Sequence, residues 1–97
     1  MTKKEKEIMN HHLSLVRAVE ATIKAGDKLF FLYDGKRVAE YLFIEWSMDS
    51  KSPSDWLMGC FTWEIFLNGL NAEKVTLELE RNKDPNFLEN YFKSVLG

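Results

Sequence analysis

The dipeptide Asp34-Gly35, set between two apolar runs, constrains this 97-residue chain more than any other feature. Lys28 to Tyr33 and Arg37 to Trp46 have the aromatic and aliphatic character of strands. A two-residue Asp-Gly connection suits a type I′ turn, because both of its central residues need φ > 0. The segment therefore predicts a β-hairpin. Pleating places Val38, Leu42, Ile44 and Trp46 on one face with Glu40, and Ala39, Tyr41, Phe43 and Glu45 on the other. The first strand is apolar on both sides, with Leu29, Phe31 and Tyr33 against Phe30 and Leu32. A sheet apolar on both faces must be covered twice, or must itself cover something else.

The flanking sequence reads as helices and one further strand. Residues 3–25 suit a single helix, with Ile8, His12, Leu15, Val19 and Ile23 near one face and Met9, Leu13 and Val16 broadening it. Gly26 supplies a stop, and Asp27 begins the exit. After a polar loop from Ser47, Ser52-Pro53-Ser54-Asp55 has the form of a helix start: Ser as N-cap, Pro at the first position, an acid at the third. Trp56 to Leu67 then reads as a buried helix closed by Gly69, although its aromatics would also suit a strand. Gly59 inside it is expected to allow close packing against the hairpin. Lys74 to Arg81 alternates Val75, Leu77 and Leu79 with Thr76, Glu78 and Glu80, a strand with one wet face. Asp84-Pro85 opens a last helix with Phe87, Leu88, Tyr91, Phe92, Val95 and Leu96 as its apolar stripe. The predicted fold is a single small α+β domain over residues 1–97, ordered α-β-β-α-β-α around an antiparallel hairpin. If 56–67 is a strand, the order becomes α-β-β-β-β-α. Two separate domains would leave each near the lower size limit for a self-supporting core.

Charge and cysteine content narrow the function classes. Thirteen Lys and Arg against fifteen Asp and Glu give a net charge of −2, without the basic excess that phosphate neutralisation demands of a nucleic-acid binder. The single cysteine, Cys60, permits no intramolecular disulfide and no cysteine-based zinc site. The most apolar stretch, Trp56 to Leu67, is interrupted by Thr62 and Glu64 and falls short of the ~20 residues of a membrane span. A cytoplasmic protein without a membrane contact is the expectation.

Candidate chemistry is sparse. His11 and His12 are the only histidines, and neighbours on a helix point about 100° apart, so they cannot chelate one metal ion as an i, i+4 pair would. Glu7 and His11 have that spacing but lack a third ligand. Cys60 lies among Met58, Gly59, Phe61 and Thr62, which supply neither a base nor a positive charge to activate it. It reads as a buried structural thiol. Glu78 with Glu80, and Glu40 with Glu45, read as solvating acids of a sheet rather than an acid/base pair. Phosphate-binding glycine loops are absent. No cofactor, no metal and no catalytic residue is expected.

The aromatics carry the functional expectation. Three Trp, three Tyr and seven Phe exceed what one face of a short sheet needs, and the hairpin alone offers Phe30, Phe31, Tyr33, Tyr41, Phe43 and Trp46. Exposed aromatic surface marks interfaces. The sequence thus suggests a non-enzymatic protein-interaction or regulatory module binding through Tyr33, Tyr41, Phe43 and Trp46. Chains of this size and character include antitoxins and phage- or mobile-element-encoded inhibitors of host enzymes and defence systems. A homodimer is a further expectation, since the first helix is long and one-faced. The alternative is a nucleotide or nucleic-acid binder using Lys28, Lys36 and Arg37 around the hairpin turn. The helix–strands–helix order is similar to that of double-stranded RNA-binding domains, which carry a basic start to their last helix. Here that place holds Asp84-Pro85-Asn86-Phe87, with Lys83 nearby.

Overall fold

In the computed structural model, which describes residues 2–44 and 52–96, Asp34 and Gly35 take φ of 52° and 80°. Both central residues of the turn are thus in the left-handed region, as the dipeptide implies. The turn joins β1 (Lys28–Tyr33) to β2 (Lys36–Leu42). Trp46 and Glu45, assigned to the second strand from sequence, lie outside the described residues. Among the described residues β3 (Val75–Glu80) completes one antiparallel sheet in the order β2-β1-β3, so β1 is bonded on both edges. Leu29 stands between Tyr41 and Leu79, and Phe31 between Ala39 and Leu77. The β1–β2 register shifts between Phe31 and Leu32, which leaves Val38 as the extra residue of a bulge.

Helix α1 (Lys3–Glu20) begins at Thr2, whose hydroxyl accepts the Glu5 backbone N–H. It ends five residues earlier than periodicity predicts. Thr22 turns back to hydrogen-bond the Val19 carbonyl, and Asp27 captures the Lys24 N–H, so polar side chains take over where the helix would have continued. Its buried face holds Met9, His12, Leu13 and Val16, while Leu15 is 48% exposed. The apolar stripe is therefore rotated away from the Leu15 side assumed from sequence.

The 53–67 stretch is helical, which excludes the strand alternative. Helix α2 (Pro53–Cys60) starts as its residues dictate, with the Ser52 hydroxyl accepting the Asp55 N–H and Pro53 in the first turn. The carboxylate of Glu20 accepts the Ser54 N–H at 3.0 Å and its hydroxyl at 2.8 Å, tying the end of α1 to the start of α2. From Phe61 to Leu67 the helix widens into π geometry, and the Asn68 N–H reaches back to the Trp63 carbonyl. A 3₁₀ turn (Ala72–Lys74) leads into β3.

One face of the sheet packs on α1, α2 and the π turn. Leu29, Phe31, Tyr41 and Val75 meet Met9, Leu13, Val16, Leu57, Phe61 and Ile65 in one cluster. Phe31 and Phe61, both fully buried, touch edge to face with centroids 5.5 Å apart. Among the described residues no helix packs broadly on the opposite face, so the two-faced apolar strand is not covered by helices on both sides. Charged side chains cover it instead. Phe30 is only 5% exposed because the Arg37 guanidinium lies over its ring, 3.8 Å from the centroid. Helix α3 (Phe87–Leu96) follows β3 and contains no buried residue.

Candidate functional site

The hairpin aromatics serve mainly the core. Tyr41 points inward at 8% exposure and meets the Trp56 ring at 5.6 Å. Burial first, and then the negative charge of Glu20, raise its phenol pKa above the ordinary value. Tyr33 is half-buried, and its hydroxyl accepts the Asn71 N–H at 3.1 Å. Phe43 is half-buried and packs on the same cluster, its backbone held by Gly26 and Asp27. The reason is register. Ala39, Tyr41 and Phe43 share the pleat of Leu29 and Phe31, the side that faces the helices. Trp46 lies outside the described residues.

The basic residues near the turn are largely engaged with acids. Arg37 pairs with Glu78 across β1, and Lys28 with Glu40 at 3.1 Å. The Glu78 hydrogen bond, together with the charges of Glu78, Glu80 and Glu40, raises the Arg37 pKa further. Lys36 is exposed at the turn. The outer sheet face is thus a mosaic of both signs, and a phosphate approaching Arg37 would meet three carboxylates around it.

A polar node that sequence reading missed closes the other end of the sheet. Asp27 is buried, and its carboxylate accepts the Asn82 N–H at 2.8 Å, the Lys24 N–H at 2.9 Å and the Arg81 guanidinium at 3.0 Å. Burial pushes its pKa up, but the backbone donors and Arg81 outweigh burial and hold the carboxyl below its ordinary range. Arg81 also bonds the Thr22 carbonyl and hydroxyl, and Asn82 reaches the Ala25 carbonyl. Every contact there joins segments of this chain, and the node fixes where β3 departs.

His12 is buried against Phe61, with ring centroids 5.9 Å apart, and His11 lies edge-on to it at 5.5 Å. Its Nδ1 has no hydrogen-bond partner. Burial, reinforced by His11, lowers its pKa, and a hydrogen bond to the Val75 backbone offsets part of that. Cys60 is half-buried between α2 and the π turn. Among the described residues no group of three His, Cys, Asp or Glu side chains is placed to hold a metal ion, and no helix is long and apolar enough to cross a membrane.

Apart from Val38, 46% exposed at the β2 bulge, the larger exposed apolar side chains lie on elements other than the hairpin. On the π turn Trp63 is 64% and Leu67 62% exposed, beside a shallow hollow of about 280 Å³ lined by Trp56, Gly59, Cys60, Trp63 and Glu64. The larger surface is α3. Phe92 is 40%, Val95 62% and Leu96 82% exposed on a helix whose apolar residues all fall on one stripe. Phe87, Tyr91 and Phe92 form a ladder of ring contacts at 5.8–5.9 Å within the helix. The molecule is correspondingly long, 45 × 25 × 25 Å, with a radius of gyration of 14.7 Å, against about 12.5 Å for a compact domain of this length. The stripe itself was legible in sequence, but its lack of an internal partner was not. Comparison with protein-family models, curated proteins and solved structures finds no match for this chain.

Proposed function

We propose that this chain is a non-enzymatic cytoplasmic module that acts by binding protein, as a regulator or inhibitor does. The observation that carries the reading is the apolar stripe of α3, whose outer residues stand exposed on an otherwise well-formed helix. A monomeric domain gains nothing from such a stripe, whereas a binding surface needs one. The hairpin aromatics support the scaffold rather than the contact. The nucleic-acid alternative has no comparable support, since Arg37 and Lys28 already hold acidic partners.

The test is capture from source-cell lysate on the tagged chain, read by native mass spectrometry, with Val95→Asp as the control. Val95 is exposed, so the variant is expected to keep its circular dichroism spectrum and Tm. A stoichiometric protein or a second copy, held by the wild type and lost from the variant, supports the reading. Nucleic acid released by moderate salt, and unaffected by the variant, overturns it.

A further inference from the structure

We propose that the hollow beside the π turn receives an arginine side chain of a protein partner, an inference that rests on the interaction-module reading but uses a different surface from α3. The chain itself contains one completed contact of this kind. On the outer sheet face the Arg37 guanidinium lies 3.8 Å over the Phe30 ring and pairs with the Glu78 carboxylate. A guanidinium suits that arrangement because it is planar, weakly hydrated and forked: its face stacks on a ring while its edge donates to a carboxylate. The hollow has the aromatic and acidic parts of the same contact without the cation. Trp56, Gly59, Cys60, Trp63 and Glu64 line it. Among the described residues no basic side chain lines it, and none pairs with Glu64. Glu64 is half-buried, so a cation there meets a carboxylate partly withdrawn from water.

The lining residues suit this occupant. Trp56 is held as an inner wall by Tyr41, with ring centroids 5.6 Å apart, whereas Trp63 stands 64% exposed as the outer wall. The two are seven positions apart in sequence, about two turns or roughly 10 Å along the helix axis. A cation is attracted to a ring from within about 6 Å of its centroid, so one group between the two tryptophans reaches both. Gly59 lies between them, and a Cβ built there meets nothing within 4 Å, so the space over it is open. The volume of about 280 Å³ admits the end of one side chain and is smaller than a usual cofactor site. Leu67, exposed on the same turn, offers apolar surface to the residues flanking such an arginine, which favours a protein over a free cation. A lysine ammonium is more strongly hydrated and lacks the planar fork. An anion would be repelled by Glu64. One side-chain contact is weak alone, so it adds to the α3 stripe rather than replacing it.

Titration of the full chain with the blocked peptide N-acetyl-Leu-Arg-Gly-amide, followed by the amide and indole N–H signals in nuclear magnetic resonance, tests the site. The wild type is expected to give saturable shifts centred on Trp56, Gly59 and Trp63, with a Kd of about 1–10 mM. The citrulline peptide, of the same shape but uncharged, should bind about tenfold more weakly, and the lysine peptide about fivefold. Trp63→Ala and Glu64→Gln should each keep the circular dichroism spectrum and weaken the arginine peptide about fivefold or more. Gly59→Leu should fold, since its side chain enters open space, and block the hollow. The proposal is overturned by a wild type without saturable shifts up to about 20 mM, by a citrulline or lysine peptide that binds as well as the arginine one, or by Trp63→Ala binding like the wild type. Tighter binding of tetramethylammonium or of free arginine would overturn it in favour of a small cation. If the peptide fails while protein capture still depends on Val95, this inference fails and the interaction-module reading stands. If the peptide binds as described and Val95→Asp changes no capture, the arginine site stands and the α3 reading fails.

Discussion

His12 shows how one side chain couples this fold to pH. Its ring fills space between α1 and Phe61, and its Nδ1 meets no acceptor. The folded state therefore favours neutral imidazole, with a pKa below the ordinary 6.5. Because the folded pKa lies below the unfolded one, stability is full above pH 6.5 and is lost as pH falls from there towards the lowered value. In that window the unfolded chain takes up a proton that the folded chain refuses. The wild-type Tm is expected to hold steady down to about pH 7 and then to fall towards pH 5. His12→Leu should start with a somewhat different Tm but lose this acid branch. Differential scanning calorimetry at pH 7.5, 6.5 and 5.5 reads the difference. A variant that loses as much Tm as the wild type over that range would show that the acid sensitivity lies elsewhere. Asp27 shares the preference for the deprotonated form, although in its case that form is the charged one. Its lowered pKa makes its stabilisation present at neutral pH and lost only as pH falls below the ordinary carboxylate range.

At the scale of elements, local chemistry decided what sequence could reveal. The Asp34-Gly35 turn, the Ser52-Pro53 helix start and the alternation of Val75, Leu77 and Leu79 each follow from nearest neighbours, and each reappears in the structure. Features that depend on distant partners did not show. Phe30 looked like half of a second apolar face, but it is sealed by Arg37, which itself is held by Glu78 from another strand. Nothing in the spacing of the 56–67 aromatics distinguished an α-helix from the π turn that places Trp63 outward and Phe61 inward. Gly59 had been expected to make room for the hairpin. A Cβ built there meets nothing within 4 Å, so the helix carries the entropic cost of glycine with no packing return. Gly59→Ala is accordingly expected to stabilise the chain by about 0.5–1 kcal/mol, seen as a higher urea midpoint at unchanged m. A lower midpoint would mean that the shallow hollow beside Trp56 and Trp63 is needed for folding.

Across the whole molecule, the core and the exposed stripe occupy different parts of the chain. Every member of the buried cluster lies between Met9 and Val75, and beyond β3 the side chains and backbone of Arg81 and Asn82 hydrogen-bond to Asp27, Thr22 and Ala25. Helix α3 adds no buried residue, and its ring ladder and Glu89–Lys93 pair are internal to it. Short isolated helices are marginal in water, so α3 by itself has little reason to persist. Burial against a bound protein partner would supply the missing stabilisation. Ending the chain after Asp84 should separate the two parts. The shortened chain keeps the Asp27 node and every core residue, so it is expected to unfold cooperatively with a Tm within about 5 °C of the wild-type monomer. It should also lose the protein that the full chain captures. A Tm lower by more than roughly 10 °C would place α3 within the cooperative core. A shortened chain that still captured the partner would move the contact to the body of the molecule, where Trp63 and Leu67 of the π turn are the most exposed of the large apolar side chains among the described residues.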